Sequence, residues 1–181
     1  EWDDQEYDLA QWQEMTGQDI NSLSINQLFI SDTDLHARKG LLDGAGAPLG
    51  IITDIDGEAR SLTAPDIGAD EFTASGTDAS LAHIDYPRPP FASGNFDIKV
   101  VLRNSGAATL TSAEIYLQID SALQAPYNWT GSLEKGETDT VNLGSFPFNS
   151  FTSYDLTAWS NAPNGVQDMD PSDDIVRVEN V

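Results

Sequence analysis

Cysteine is absent from the 181 residues, which removes disulfides, thiol nucleophiles and cysteine-ligated zinc together. Bases are scarce, with eight Lys and Arg against thirty Asp and Glu and a formal charge of −22. Binding to a phosphate backbone depends on cationic side chains neutralising it, so this balance excludes nucleic acid as a partner. Histidine occurs twice, at His36 and His83, and neither lies in a metalloprotease or nucleophile-elbow setting. Long apolar runs are missing as well. A stretch such as Val100-Val101-Leu102 is far short of the ~20 residues that cross a bilayer, so membrane insertion is not expected.

Acid is present throughout. Sixteen of the thirty acids precede Thr73 and fourteen follow it, so the charge is not confined to a tail. Such a surface attracts divalent cations and resists aggregation. It serves equally as a plain solubilising coat. Hydrophobic residues make up 39% of the chain, and where they recur with a period they argue against disorder.

Periodicity divides the sequence in two. Asp8 is placed to cap a short helix over Leu9–Thr16, closed by Gly17, with Leu9, Trp12 and Met15 on one face. Residues 23–30 predict a short strand or extended edge. From Ser31 to Phe72 almost no period is sustained, and Gly and Pro recur. An irregular stretch of that length fits the wrapped end of a stacked structure better than a core of its own. Thr73–Thr77 is small and polar, a linker by composition. After it, short strands are predicted at 79–84, 96–103, 113–120, 127–129, 138–143, 154–159 and 175–181. Phe96, Ile98, Val100 and Leu102 alternate with polar neighbours, as do Ala113, Ile115, Leu117 and Ile119. In the last strand Val176 and Val178 are the inward residues. Seven strands in about 100 residues predict an immunoglobulin-like sandwich, without the Cys…Trp…Cys signature of antibody domains.

Two stretches resemble known families. Thr53-Asp54-Ile55-Asp56-Gly57-Glu58-Ala59-Arg60 followed by Pro65-Asp66-Ile67-Gly68-Ala69-Asp70-Glu71-Phe72 resembles the closing segment of bacterial right-handed parallel β-helix proteins. Trp12, Thr16-Gly17, Asp19, Ser22 and Asp34-Leu35-His36 are similar to its lead-in. Residues 78–181 are similar to the CARDB-like adhesion domains of secreted Bacteroidota proteins. The likeness lies in Val100–Gly106, in Tyr127-Asn128-Trp129-Thr130-Gly131, and in Asn161–Gly165 with Asp168–Asp174. Together these imply an all-β chain: residues 1–72 the terminal cap of a parallel β-solenoid carrying one short helix, 73–77 a linker, and 78–181 the sandwich. They also imply an extracellular or cell-surface setting, within a long chain whose other domains are its first partners.

Carboxylates supply the candidate sites. Asp168, Asp170, Asp173 and Asp174 crowd one loop before the last strand. Four carboxylates this close repel unless solvated or bridged, and calcium accepts 6–8 oxygens in flexible geometry. A solvated turn and a Ca2+ loop are the two readings. Asp54 and Asp56 form a second candidate, although Gly57 and Pro65 stand where an EF-hand needs other spacing. The competing reading there is an acidic turn in which Arg60 pairs with Asp66 or Glu71. Tyr127 and Trp129 are the aromatic pair placed for carbohydrate contact, whereas His36 and His83 read as structural.

No nucleophile–base arrangement emerges. The expectation is a non-catalytic structural or adhesive module, with an extracellular polysaccharide or a protein as its outside partner. The rival is the non-catalytic end of a polysaccharide-degrading β-helix enzyme.

Overall fold

Alternation from Phe96 onward demands one wet and one dry face. The computed structural model, which describes residues 9–86, 93–149 and 152–179, makes this stretch the middle strand of a three-stranded sheet. The strands are β1 (Ala79–Tyr86), β2 (Gly94–Asn104), β3 (Leu110–Ile119), β4 (Ala122–Leu123), β5 (Tyr127–Leu133), β6 (Thr138–Phe148), β7 (Leu156–Asn161) and β8 (Ile175–Val178). β2 lies between β1 and β6, antiparallel to both. In the second sheet β3 pairs with β7 and β7 with β8, while β4 and β5 share the other side of β3. The chain changes sheet between β2 and β3, between β5 and β6, and between β6 and β7. That is an immunoglobulin-like sandwich. The two-residue β4 is the one strand that alternation does not foreshadow.

Inward residues of both sheets form the core. Ile98, Val100 and Leu102 of β2 are fully buried against Ala113, Ile115 and Leu117 of β3 and Leu156 and Ala158 of β7. Burying each large aliphatic stabilises by about 1.5–3 kcal/mol. Val176 and Val178 pack on this core, whereas Ile175 is 48% exposed.

The preceding region is built differently. The helix α1 spans Leu9–Thr16 and is closed by Gly17, whose φ of +65° is left-handed and whose N–H donates to the Gln13 carbonyl at 2.9 Å. Met15, expected on an apolar face, is 57% exposed. Asp8, expected to cap the helix, lies outside the described residues, as does Pro87–Pro90, whose prolines predict a bend. From 17 to 78 the described residues form two isolated bridges, Ser31–Asp34 and Thr53–Ala59, and one short 3-10 turn at Gly40–Leu42, but no strand. Over 23–30, where a short strand or extended edge is expected, no strand forms. Leu28 takes φ +54°, which breaks an extended run, and the Gln27 carbonyl accepts from Arg38 and Lys39 across a loop. No stacked parallel coils are present among these residues.

The stretch expected to be a linker is bonded to the sandwich. The Gly76 carbonyl accepts from Ala107 and Ala108 at 3.2 Å, and that of Thr77 from Met169 at 3.1 Å. Ala74 donates to Asp43 Oδ2 at 2.7 Å. Gly40 lies directly against the turn after β2, where a Cβ would meet the Ser105 carbonyl at 2.8 Å. Only glycine fits that approach.

Candidate functional site

The acidic loop before β8 is not an open turn. Asp168 accepts the backbone N–H of Ala79 at 2.9 Å and of Asp170 at 2.7 Å. Asp174 accepts the Ser160 hydroxyl at 3.0 Å. Into the remaining space comes Lys39, fully buried, whose Nζ donates to Asp78 at 2.7 Å, Asp170 at 2.9 Å and Asp173 at 2.6 Å. One oxygen from each of these three carboxylates lies within 4.8 Å of the other two, a spacing that suits a metal ion. The loop is therefore no freely solvated turn: an ammonium from the N-terminal region stands where one oxygen each of Asp78, Asp170 and Asp173 converge. Of the four acids singled out from the sequence, Asp170 and Asp173 meet there, while Asp168 and Asp174 brace the loop.

Lys39 and Asp78 escaped sequence reasoning. They stand 39 residues apart and Lys39 is 131 from Asp170, so no local pattern joins them. The one available signal was Lys39 as the sole lysine before Lys99.

The electrostatics follow from the crowding. Burial, then repulsion from Asp173, pushes the Asp78 carboxyl up to about 7. Burial and Asp168 do the same to Asp174, also to about 7. Burial likewise raises Asp173. Asp170 is held low, because hydrogen bonds from Ser172 and Lys39 outweigh its burial. Burial pulls the Lys39 ammonium down, yet bonds to Asp173, Asp78 and Asp170 overcome it and hold the proton more tightly than in water.

The second acidic segment is a loop organised by carboxylates. Asp54 accepts N–H groups of Asp56 at 3.0 Å and Glu58 at 2.8 Å on one oxygen, and of Glu71 at 3.3 Å on the other. Burial opposes its charge, but these bonds still lower it below the usual carboxylate range. Arg60 pairs with Glu71 through Nε at 3.2 Å and donates to the carbonyls of Gly68 and Asp66. Its partner is therefore the Glu71 side chain and the Asp66 backbone. The Asp66 carboxylate instead accepts from Gly44 and Phe72, both at 2.6 Å.

Of the metal candidates here, Asp54 is committed to the backbone. Asp56 joins His36 and Asp70 in a second group with metal-like spacing. His36 bonds Asp34 through Nδ1 and Asp56 through Nε2, the latter at 2.6 Å. Asp34 and then Asp56 raise its pKa to about 9. Near neutral pH it is an imidazolium with both N–H groups in use and no lone pair for a metal. This group is an ion pair. His83, by contrast, is an ordinary strand residue 4.0 Å from Asp85.

The carbohydrate-contact pair is corrected too. Trp129 is 4% exposed and donates Nε1–H to Asp139 at 2.8 Å, with its ring covering Gly131. Tyr127 is left alone on the surface. The aromatic pair that the sheet does create is Tyr116 with Trp159, in register on β3 and β7, with rings parallel at 5.3 Å. Glu114 accepts from the Tyr116 hydroxyl at 2.9 Å and from Asn161 at 3.1 Å beside them. That pair needs the strand register to be seen.

Exposed apolar side chains gather in the N-terminal region. Eleven of the fifteen large hydrophobics exposed among the described residues lie between Met15 and Leu62. A hollow of about 790 Å³ there is lined by Leu23, Ile25, Phe29, Leu35, Ile55 and Ile67, with Asp56 and His36 also on its wall. No helix among the described residues is long and apolar enough to cross a membrane.

No protein-family model matches the chain and no curated protein matches it. Among solved structures it is similar to a CARDB domain from Pyrococcus furiosus, crystallised in complex with di-metal ions. That likeness has 16% identity and a TM-score of 0.45, over 60% of this chain and 94% of that one. The solution structure of the same domain gives 19% and 0.43 over 58% and 94%. A β-glucosidase from Kluyveromyces marxianus gives 17% and 0.32 over 64% of this chain and 14% of that one. The sandwich assignment rests on the strand order and core described above.

Proposed function

We propose that this chain is a non-catalytic structural and adhesive module of a large secreted or cell-surface bacterial protein. In this reading the sandwich is a CARDB-like spacer. Residues 1–72 are the closing part of a β-helix on which other coils of the same chain stack. The observation that carries it is the joint at Lys39. A spacer must hold two bodies in fixed relation, and a fully buried ammonium shared by three carboxylates of the sandwich is a directional lock that a hinge would not have. The uncovered apolar side chains from Met15 to Leu62 support the second half, since patches of this kind call for a cover. A polysaccharide or protein of the cell exterior is the class of outside partner.

Small-angle X-ray scattering tests the reading, with limited proteolysis alongside. The chain should scatter as one rigid body and resist cleavage at Thr73–Thr77, while Lys39→Ala should broaden the distance distribution and open that segment to protease. If the unaltered chain already scatters as two independent bodies, the spacer reading falls.

A further inference from the structure

Three buried side-chain atoms among the described residues have no hydrogen-bond partner: Thr77 Oγ1, Asp78 Oδ1 and Asp173 Oδ1. All are oxygens, and all lie at one corner of the fold. Thr77 adjoins Asp78 in sequence, and Asp78 and Asp173 meet on the same Nζ through their other oxygens. The Asp78 side chain is only 1% exposed. A buried acceptor with no donor is unfavourable, and a charged one more so. The same corner holds five carboxylates, those of Asp78, Asp168, Asp170, Asp173 and Asp174, against the single ammonium of Lys39. One positive charge leaves most of that negative charge uncompensated.

We propose that this corner binds a calcium ion through Thr77 Oγ1, Asp78 Oδ1 and Asp173 Oδ1, beside the Lys39 ammonium. Each aspartate then serves two cations, Lys39 with Oδ2 and the metal with Oδ1. The donors are oxygens throughout, with no imidazole or thiolate, which disfavours zinc and copper. Calcium fills its 6–8 positions in irregular geometry with carbonyls and waters, whereas magnesium demands a near-ideal octahedron. The ion would tie the start of β1 to the loop before β8. This goes beyond the spacer reading and stands independently of it.

Calorimetric titration of the chelator-treated chain with calcium chloride, then magnesium chloride, is the test. Thr77→Val is the informative variant, because it removes one proposed ligand and touches none of the bonds to Lys39. One calcium site is expected, weakened about tenfold or more by Thr77→Val with the circular dichroism spectrum unchanged, and weakened further by Asp173→Asn. Absence of binding at millimolar calcium would overturn the proposal. So would binding that Thr77→Val and Asp173→Asn leave unchanged, because the ion would then sit on exposed acids elsewhere. Binding seen only in Lys39→Met would also overturn it, by showing that ammonium and metal compete for one position.

Discussion

The sandwich and the region before it hold their shapes by opposite means. In the sandwich, side chains such as Ile98, Leu102 and Ile115 point inward, and the backbone is satisfied by ladders between strands. From Gly40 to Phe72 the large aliphatics largely face outward, and beside scattered bonds to loop carbonyls many backbone N–H groups find their acceptors on Asp54, Asp66 and Glu71. Irregular backbone still needs partners, and here carboxylates supply what strands supply elsewhere. Order in this chain therefore does not imply a core. The Lys39 joint is where the two designs meet.

The sharpest way to break the comparison is at that joint. Lys39→Ala strands the buried carboxylates of Asp78 and Asp170 and the partly buried one of Asp173 and should cost about 3–5 kcal/mol in chemical denaturation; a loss below about 1 kcal/mol would mean the regions are held together by something else. Next comes a matched pair. Ile98→Ala, in a fully buried site, should cost about 2–5 kcal/mol, while Ile55→Ala, at 72% exposure, should stay within about 0.5 kcal/mol. Similar values for the two would erase the distinction drawn here. A smaller effect is expected from Asp66→Ala, about 1–3 kcal/mol. It should appear as faster hydrogen exchange at Gly44 and Phe72, with the amides of β2 unaffected.

Acid provides a subtler probe. The carboxyls of Asp78 and Asp174 are raised to about 7, so between their unfolded values near 4 and about 7 the folded state binds more protons than the unfolded one. In that window their contribution makes stability rise as pH falls. Asp54, Glu71 and Asp170 are held low, so the stability they contribute is lost once pH drops below about 4. In calcium-free buffer the melting temperature should therefore be higher at about pH 5 than at pH 8; a flat profile would mean that the corner around Lys39 is not strained by charge. The smallest signal belongs to His36, raised to about 9 by Asp34 and Asp56. Its contribution is complete below about 6.5 and is lost as pH rises through about 9. An NMR titration should place its midpoint near 9 and find it lowered in Asp56→Asn.

Alternation made the sandwich legible, because a strand with one buried face writes its burial pattern into consecutive residues. The seven expected strands, and the inward facing of Val176 and Val178, follow from that. The site was half legible. Asp170 and Asp173 could be singled out because they are crowded in sequence, but Lys39 and Asp78 reach them through the folded chain. Trp129 misled because an aromatic beside an exposed Tyr127 reads as surface, when in fact it tops the core with its indole N–H on Asp139. Tyr116 and Trp159 were hidden for the reverse reason, since each looks ordinary on its own strand.

Lys39 also has a history within each molecule's synthesis. Two of its partners, Asp170 and Asp173, are added 131 and 134 residues after it. At about 5–20 residues per second that is a wait of roughly 7 to 27 s. Through most of it the only one of the three carboxylates already made is Asp78, 39 residues on, and Leu49, Ile51 and Ile52 of the N-terminal stretch are open to water. The acids scattered along the same stretch keep like chains apart meanwhile, so the charge that crowds the finished joint is also what protects its unfinished half.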